Sequence, residues 1–152
     1  GILEGEVTRE EVLQATDYVF PSLEILDTRI FRKDENTGKM RTVFDTISDN
    51  AANAGVISGN QKNDPQKFDL RRVGSIVMRN NEVEETGLGA GVLNDPITGI
   101  IWLVKRLSEY NQKISPGEII LSGSFIRPIE ARKGDEFYAD FGDFGFVECK
   151  FN

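Results

Sequence analysis

Apolar residues recur at helical spacing in two stretches of the chain. Between residues 96 and 110 they recur every three or four positions and leave the charged residues on the opposite side. Asp95 precedes this stretch and is followed by a proline, which is typical of a helix start, because Asp caps free backbone N–H groups and proline has none to cap. Thr8 and Glu11 form a capping-box pattern, which predicts a second, shorter helix that ends before Pro21.

Short runs of apolar and polar residues fill much of the remaining chain and predict strands. One strand is expected at residues 22–30, and a charged, solvated loop follows at 32–42. A hairpin is expected where residues 70–79 turn at Asn80-Asn81 into residues 82–87. Four more strands are expected at Glu118–Ser122, Arg127–Ala131, Glu136–Phe141 and Gly145–Phe151. These elements indicate an α+β fold that is rich in β-structure, in a single domain of 152 residues.

A run of mostly small and short polar residues, Asp45 to Gly55, fits neither a helix nor a strand pattern. It offers acid, amide and hydroxyl groups, and its small residues would let the backbone pass close to another group. One interpretation is a surface loop in which Asp and Asn side chains bond their own backbone. The other is a segment of a binding site, and composition alone leaves both open.

The composition indicates a globular domain, because apolar residues make up 39% of the chain and charged residues 28%. The formal net charge is −7 and basic residues do not cluster, which argues against nucleic acid and against an anionic membrane as partners. No apolar run approaches the roughly 20 residues that span a bilayer. Cys149 is the single cysteine, so no internal disulfide can form, and we expect a reducing, cytoplasmic environment.

The chain contains no histidine. This excludes His-ligated zinc, Ser-His-Asp triads and Cys-His dyads within the chain. Chemistry within the chain would then depend on carboxylates, lysine, tyrosine, cysteine or a hard metal ion. Because 25 acidic residues are present, Mg²⁺ or Mn²⁺ held by oxygen ligands is the natural candidate.

Two further places could carry chemistry. Glu24 lies within an otherwise apolar predicted strand, where a carboxylate either pairs or binds a metal, or simply faces solvent at a sheet edge. Ser122, Gly123 and Ser124 follow an apolar run, and their hydroxyl and backbone N–H groups could hold a carboxylate or form an ordinary turn.

Glycines alternate at positions 87, 89 and 91. Their spacing differs from the G-x-G-x-x-G of dinucleotide-binding loops, and no clear strand-to-helix phosphate turn follows. We therefore assign them no phosphate-binding role.

Several segments taken together resemble the hydratase and decarboxylase branch of the fumarylacetoacetate hydrolase superfamily. In chain order they are Pro21–Asp27, Asp45–Gly55, Glu84–Gly87, Gly91–Asn94, Ser122–Phe125 and Asp140–Gly142. The resemblance covers nearly the whole chain and implies the β-rich mixed sheet or roll of that superfamily's C-terminal part. It implies an enzyme of aromatic catabolism that uses Mg²⁺ or Mn²⁺ to add water to a dicarboxylate 2-hydroxy-dienoate. A 2-oxo acid decarboxylase of the same branch is the alternative.

The resemblance also implies roles for individual residues. Glu24 matches an acid of the family's metal site, and Asp49 matches a catalytic residue. Asn50 and the segment Ser122-Gly123-Ser124 match substrate-binding positions. The partners implied are a small dicarboxylate substrate and further copies of the chain in a homo-oligomer, with no nucleic acid and no membrane.

In this family the remaining metal ligands, a Glu-x-Glu pair, and an active-site lysine belong to a segment that would precede Gly1. We therefore expect the chain to be an N-terminally truncated catalytic domain, with a non-catalytic fragment as a further alternative. Glu4-Gly5-Glu6 has the letters of the pair but lies directly before the predicted first helix. We interpret it as unrelated to the metal site.

Arg127 follows the Ser-Gly-Ser segment by three residues and would lie near the pocket if that segment lines it. A dicarboxylate substrate has a distal carboxylate to be bound, and the fork of donors on an arginine suits that group. The alternative is a surface ion pair of Arg127 with Glu130 or Asp135.

Overall fold

The computed structural model describes residues 1–152 and contains two antiparallel sheets. The smaller sheet pairs β1 (Ser22–Leu26) with β2 (Asn53–Ser58). The larger sheet comprises β3 (Gly74–Arg79), β4 (Glu82–Leu88), β5 (Glu136–Asp140) and β6 (Phe146–Lys150), in the order β4-β3-β5-β6. Three α-helices accompany them: α1 (Arg9–Ala15), α2 (Val43–Ser48) and α3 (Pro96–Ser108). The prediction of a β-rich α+β fold with few helices is confirmed.

Helices α1 and α3 begin at the predicted caps. The Thr8 side chain accepts from the first turn of α1, and Asp95 accepts from the first turn of α3. The carboxylate of Asp95 also pairs with Arg9 at 2.9 Å, which joins the start of α3 to α1. Val12 of α1 and Val104 of α3 are fully buried in one core cluster, each contributing about 1.5–3 kcal/mol of hydrophobic free energy. None of the helices combines the length and the apolar character that crossing a bilayer requires.

The predicted hairpin is present as β3 and β4. Asn80 and Asn81 connect the strands with φ angles of 52° and 69°, the left-handed conformation that asparagine tolerates in tight hairpin turns. Val77 of β3 packs with Phe137 and Ala139 of β5 in a second, smaller core cluster. This cluster lies on the face of the large sheet that the small sheet approaches, because Leu23 of β1 packs against it.

The first strand ends earlier than expected, at Leu26 instead of residue 30. The backbone N–H of Asp27 still donates to Ala52 of the neighbouring strand region, at 2.9 Å. The next two residues, Thr28 and Arg29, instead donate to the carboxylate of Asp49. A side chain therefore replaces the strand ladder at this end of β1.

The strands predicted at Glu118–Ser122 and Arg127–Ala131 are wrong, whereas those that became β5 and β6 are confirmed. No backbone N–H between residues 119 and 125 donates a hydrogen bond. Strand propensity reflects the side chains, but a strand exists only where a neighbouring backbone accepts its bonds, and this chain provides none there.

The predicted charged loop is confirmed, since residues 31–40 are all exposed. The run Asp45 to Gly55 is more structured than its composition indicates, because it contains the end of α2, a single 3₁₀ turn and the start of β2. Thr42 and Asp45 form a capping box at the start of α2 that the sequence analysis missed. The helix has no buried residue, so its cap holds it in place rather than a core contact.

Candidate active site

A large open cleft of about 1280 Å³ lies between the small sheet, the large sheet and the irregular segment that follows α3. Hydrophobic side chains supply 26 of its 47 lining residues, so it suits an apolar ligand body or a further piece of protein. The cleft brings together five of the seven residues predicted to form the site: Glu24, Ser122, Gly123, Ser124 and Arg127. Asp49 and Asn50 do not line it.

Glu24 is exposed on β1, because the strand turns Leu23 and Ile25 inward and Glu24 outward. Its Oε1 accepts a hydrogen bond of 2.7 Å from the side-chain amide of Asn53, the first residue of β2. The other oxygen, Oε2, makes no hydrogen bond within the chain. Glu24 is thus held by one oxygen and presents the other, which is the arrangement of a carboxylate that can still take a ligand.

The donor set of this chain does not form a metal centre by itself. A carboxylate oxygen is the type of ligand that Mg²⁺, Mn²⁺ and Ca²⁺ prefer, so the chemistry of Glu24 fits one ligand position. However, no group of three or more His, Cys, Asp and Glu side chains lies close enough together to hold an ion. A set of several carboxylate ligands would therefore need acids from outside residues 1–152.

Asp49 is buried, with 2% of its side chain exposed, and is saturated with hydrogen bonds. It accepts from the Thr28 hydroxyl at 3.0 Å, from the Arg29 backbone at 3.1 Å and from the Arg29 guanidinium at 2.7 Å. Burial raises the pKa of Asp49, but the hydrogen bonds from Thr28 and Arg29 outweigh it, and the pKa lies below its ordinary value. Asp49 is therefore held as an anion.

Three consecutive residues after Asp49 adopt the left-handed conformation. The φ angles of Asn50, Ala51 and Ala52 are 51°, 53° and 65°. Asparagine tolerates this region, but the left-handed conformation costs an alanine roughly 1–2 kcal/mol of conformational free energy. The surrounding contacts must therefore hold the turn. The side chain of Asn50 is exposed and makes no hydrogen bond within the chain.

The alternating glycines make room for the segment Ser122–Phe125. A Cβ on Gly87 would lie 2.2 Å from the carbonyl oxygen of Phe125, and one on Gly91 would lie 3.3 Å from the Phe125 side chain. On α3, a Cβ on Gly99 would lie 3.3 Å from the carbonyl oxygen of Ser122. These glycines thus allow the backbone to pack closely against Ser122 and Phe125.

Within this segment, Ser122 and Ser124 differ in what they can offer a ligand. The Ser124 hydroxyl donates to the carbonyl of Ile126 at 2.9 Å, which closes a local turn. Ser122 is half-buried, and its hydroxyl makes no hydrogen bond within the chain. Gly123 has a φ of +111°, which only glycine adopts readily. Free backbone N–H groups and one free hydroxyl therefore face the cleft side by side.

Arg127 pairs with Glu85 of β4, not with either of the acids considered from the sequence. Its Nε donates to Glu85 Oε1 at 2.9 Å, and its Nη2 lies 2.7 Å from the same oxygen. Glu85 is largely covered, with 20% of its side chain exposed, while 85% of the Arg127 side chain is exposed. The third nitrogen of the guanidinium, Nη1, makes no hydrogen bond within the chain and remains available to an anion.

The comparisons with curated proteins identify the family. The chain is 50% identical over 141 residues to a 2-oxo-hept-4-ene-1,7-dioate hydratase of Escherichia coli, covering 93% of the chain and 53% of that enzyme. It belongs to the hydratase and decarboxylase branch of the fumarylacetoacetate hydrolase superfamily. A 2-keto-4-pentenoate hydratase of Paraburkholderia xenovorans is 35% identical over 144 residues, covering 95% of the chain and 51% of that relative. No family model matches the chain.

Solved structures of the same branch share the fold. A 4-oxalocrotonate decarboxylase from Pseudomonas putida G7, complexed with calcium and acetate, superposes with a TM-score of 0.89 at 27% identity. That match covers 100% of this chain and 55% of the decarboxylase. The complex of a 4-oxalocrotonate decarboxylase from this source with magnesium and adipate gives a TM-score of 0.86 at 26% identity, covering 99% and 58%. The chain thus spans about half the length of these relatives.

Three residues of the site region were not singled out from the sequence: Arg29, Asn53 and Glu85, although the last two lie within segments that carry the resemblance. Each contacts a predicted site residue that is far away along the chain, and none carries a pattern of its own. Arg29 could have been suspected only as the cation nearest to the polar end of the first strand.

Proposed function

We propose that the polypeptide containing this chain is a divalent-metal-dependent hydratase of 2-oxohept-4-ene-1,7-dioate, acting in the catabolism of aromatic compounds. The observation that carries the proposal is the 50% identity to the Escherichia coli hydratase named for this substrate, along 93% of the chain. The cleft supports it, because it combines an apolar wall with anion-binding groups at Ser122–Ser124 and Arg127, and Glu24 lies on the strand that borders it.

In this proposal the chain's residues bind and orient the two ends of the substrate. Ser122 and the free N–H groups beside it hold one carboxylate, and Arg127 holds the distal one through Nη1 while Glu85 fixes its position. The net reaction adds one water, with the hydroxyl at C4 of the product and the proton on a neighbouring carbon. Mg²⁺ or Mn²⁺, with Glu24 as one ligand, would supply Lewis-acid stabilisation of the charge on the 2-oxygen.

We propose further that a segment outside residues 1–152 completes the site. The acids of this chain do not form a metal centre, and residues 119–121 of the cleft wall, which precede the substrate-binding segment, carry backbone N–H groups without partners. The cleft is large enough to seat further strands of the polypeptide, which would both pair this wall and bring in ligands. The chain on its own would then bind neither metal nor substrate productively.

We also propose that the enzyme is a homo-oligomer of the cytoplasm. The apolar side of α2 supports an interface between copies, because Val43, Phe44 and Ile47 are each at least 65% exposed. The lone Cys149 supports a reducing compartment, since no disulfide framework stabilises the fold.

The test compares the intact polypeptide with residues 1–152 alone. Each is given 2-hydroxyhepta-2,4-diene-1,7-dioate with Mg²⁺, and hydration is followed as the loss of dienol absorbance. We expect turnover by the intact polypeptide and none by residues 1–152. Turnover by residues 1–152 would show that the chain holds a complete site, and inactivity of the intact polypeptide would refute the hydratase assignment.

The second candidate function is decarboxylation of a 2-oxo acid. It is favoured by the structural likeness to 4-oxalocrotonate decarboxylase, at a TM-score of 0.89. Release of CO₂ from 4-oxalocrotonate by the intact polypeptide, without hydration of the dienoate, would establish this function in place of the first.

A further inference from the structure

Asp49 is connected to the cleft although it does not line it. Its carboxylate is the buried end of an ion pair with Arg29, which itself lies just after β1. The Arg29 guanidinium makes two more bonds, to the backbone carbonyls of Asp49 at 2.7 Å and of Asn53 at 3.2 Å. These two carbonyls flank the left-handed turn of residues 50–52 on either side. One side chain therefore spans the turn and holds both of its ends against β1.

The turn decides where Asn53 lies. Asn53 is the residue at which β2 begins, and its pairing with Leu26 is shifted by an irregularity in the ladder. Regular strand pairing therefore does not fix the position of Asn53. The hydrogen bond from the Arg29 guanidinium to the Asn53 carbonyl holds it in place instead. The side-chain amide of Asn53 then donates to Glu24 at 2.7 Å.

We infer that Asp49 is a positioning residue, which acts on the site through Arg29 and the amide of Asn53 on Glu24. The inference rests on the proposed function only in taking Glu24 as a metal ligand. The side chain of Asp49 has no exposed face toward a substrate, and its carboxylate accepts only from protein groups of Thr28 and Arg29. A group that exchanges a proton with substrate has to reach it, directly or through one water, and Asp49 does neither in this fold.

A second arginine lies near the ion pair. Arg41 donates to the Thr28 hydroxyl, not to Asp49. Thr28 is thereby held between Arg41 and Asp49. Removing the charge of Asp49 would free the Arg29 side chain and with it the carbonyl of Asn53.

The test measures binding of Mn²⁺ to the intact polypeptide by calorimetry, in four variants beside the wild type. Asn53→Ala removes only the amide on Glu24, whereas Asp49→Asn loosens the turn that holds it. Because outer partners of metal ligands typically contribute at least tenfold to affinity, we expect each of these two variants to raise the dissociation constant for Mn²⁺ about tenfold. The double variant should bind Mn²⁺ as tightly as the single variant with the lower affinity, since both substitutions act on the same contact. Asp34→Asn is the matched control, because Asp34 caps an exposed turn and does not line the cleft.

The pH dependence of turnover separates this role from acid–base catalysis. As a positioning residue, Asp49 leaves the ionisations of the pH–rate profile unchanged when it becomes Asn, and only the amplitude falls. Loss of one limb of the profile with unchanged Mn²⁺ affinity would establish a proton-transferring Asp49 and overturn the inference. Wild-type Mn²⁺ affinity in Asn53→Ala would also overturn the inference. So would a loss of affinity in the double variant that equals the product of the two single losses. If Asp49→Asn fails to fold, the affinity of Asn53→Ala still tests the inference.

Failure of the proposed function would be visible separately. An intact wild type that binds Mn²⁺ but does not hydrate the dienoate refutes the hydratase, while the Mn²⁺ affinities of the variants still test the positioning role. An intact wild type that binds no Mn²⁺ refutes both.

Discussion

Gly87→Ala is the most direct probe of the loop that lines the cleft. The added Cβ would lie 2.2 Å from the carbonyl oxygen of Phe125 and 2.8 Å from its side chain. Contacts below 3.0 Å essentially never occur for real Cβ atoms, so Phe125 or β4 has to move by at least about 0.8 Å. The atom that blocks the Cβ belongs to the backbone, which cannot rotate away as the end of a long side chain can.

Two magnitudes follow from this displacement. Overpacking of a well-packed site costs about 1–3 kcal/mol, so the free energy of unfolding should fall by that amount. Phe125 is bonded directly to Ser124 and lies two residues before Arg127, so the substrate-binding groups shift with it. A misplacement of about 1 Å can cost on the order of 100-fold in rate, and we expect kcat/KM of the intact polypeptide to fall by about 10- to 100-fold.

Two other glycines serve as matched controls. A Cβ on Gly55 meets nothing within 4 Å, so Gly55→Ala should leave stability unchanged or slightly raised. A Cβ on Gly59 would lie 2.5 Å from the carbonyl oxygen of Phe146, so Gly59→Ala reproduces the overlap at a different place. Chemical denaturation measures the stability of all three variants, and the dienol assay measures kcat/KM.

The comparison of Gly87→Ala with Gly59→Ala tests whether the loop at Ser122–Phe125 acts on the substrate or only on stability. If both lose similar stability but only Gly87→Ala loses kcat/KM beyond tenfold, the loop at Ser122–Phe125 positions substrate. Retention of kcat/KM within twofold in a destabilised Gly87→Ala would refute the assignment of this loop to the substrate. Unchanged stability would refute the close packing itself.

Three further predictions concern charged residues. Arg127→Leu should lower kcat/KM of the intact polypeptide for the seven-carbon dioate about tenfold (~1.4 kcal/mol) and spare the five-carbon 2-hydroxypenta-2,4-dienoate, and an equal loss on both would mark a structural role. Glu24→Gln should raise the Mg²⁺ concentration needed for half-maximal rate, and an unchanged requirement contradicts the ligand role. Hydrogen bonds from Arg71 lower the pKa of Asp69 from 3.8 to about 2, so its stabilisation is present above pH 4 and lost as the pH falls toward 2. Denaturation between pH 4 and 2 should therefore show a steeper decline for the wild type than for Asp69→Asn.

The elements that the sequence predicts correctly are those set by neighbouring residues. The caps at Thr8 and Asp95 bind N–H groups within three residues, and the Asn80-Asn81 turn needs only its own backbone conformation. Helix α2 was missed although it is equally local, because Asp45 replaces the usual Glu in its capping box and because no apolar stripe faces a core. Elements set by neighbouring residues can be predicted from the sequence, but only where those residues match a known capping or turn pattern.

The contacts that build the site join residues that are distant in the chain. Asp49 and Arg29 are 20 residues apart, Asn53 and Glu24 are 29 apart, and Arg127 and Glu85 are 42 apart. With 25 acids available to 18 basic residues, spacing and composition do not select these pairs. The two wrong strands have the same origin, since pairing depends on which segment the fold places alongside.

Hydrogen exchange of the unbonded amides at residues 119–121 reports whether this part of the cleft wall is covered. An amide without an acceptor exchanges its hydrogen with solvent freely, whereas one paired in a sheet exchanges only when the structure opens. Deuterium uptake at this single segment, read by mass spectrometry, therefore distinguishes a cleft that is open to water from one that another strand has filled. The same measurement can follow assembly of the enzyme in time, with no covalent probe, substrate or metal added.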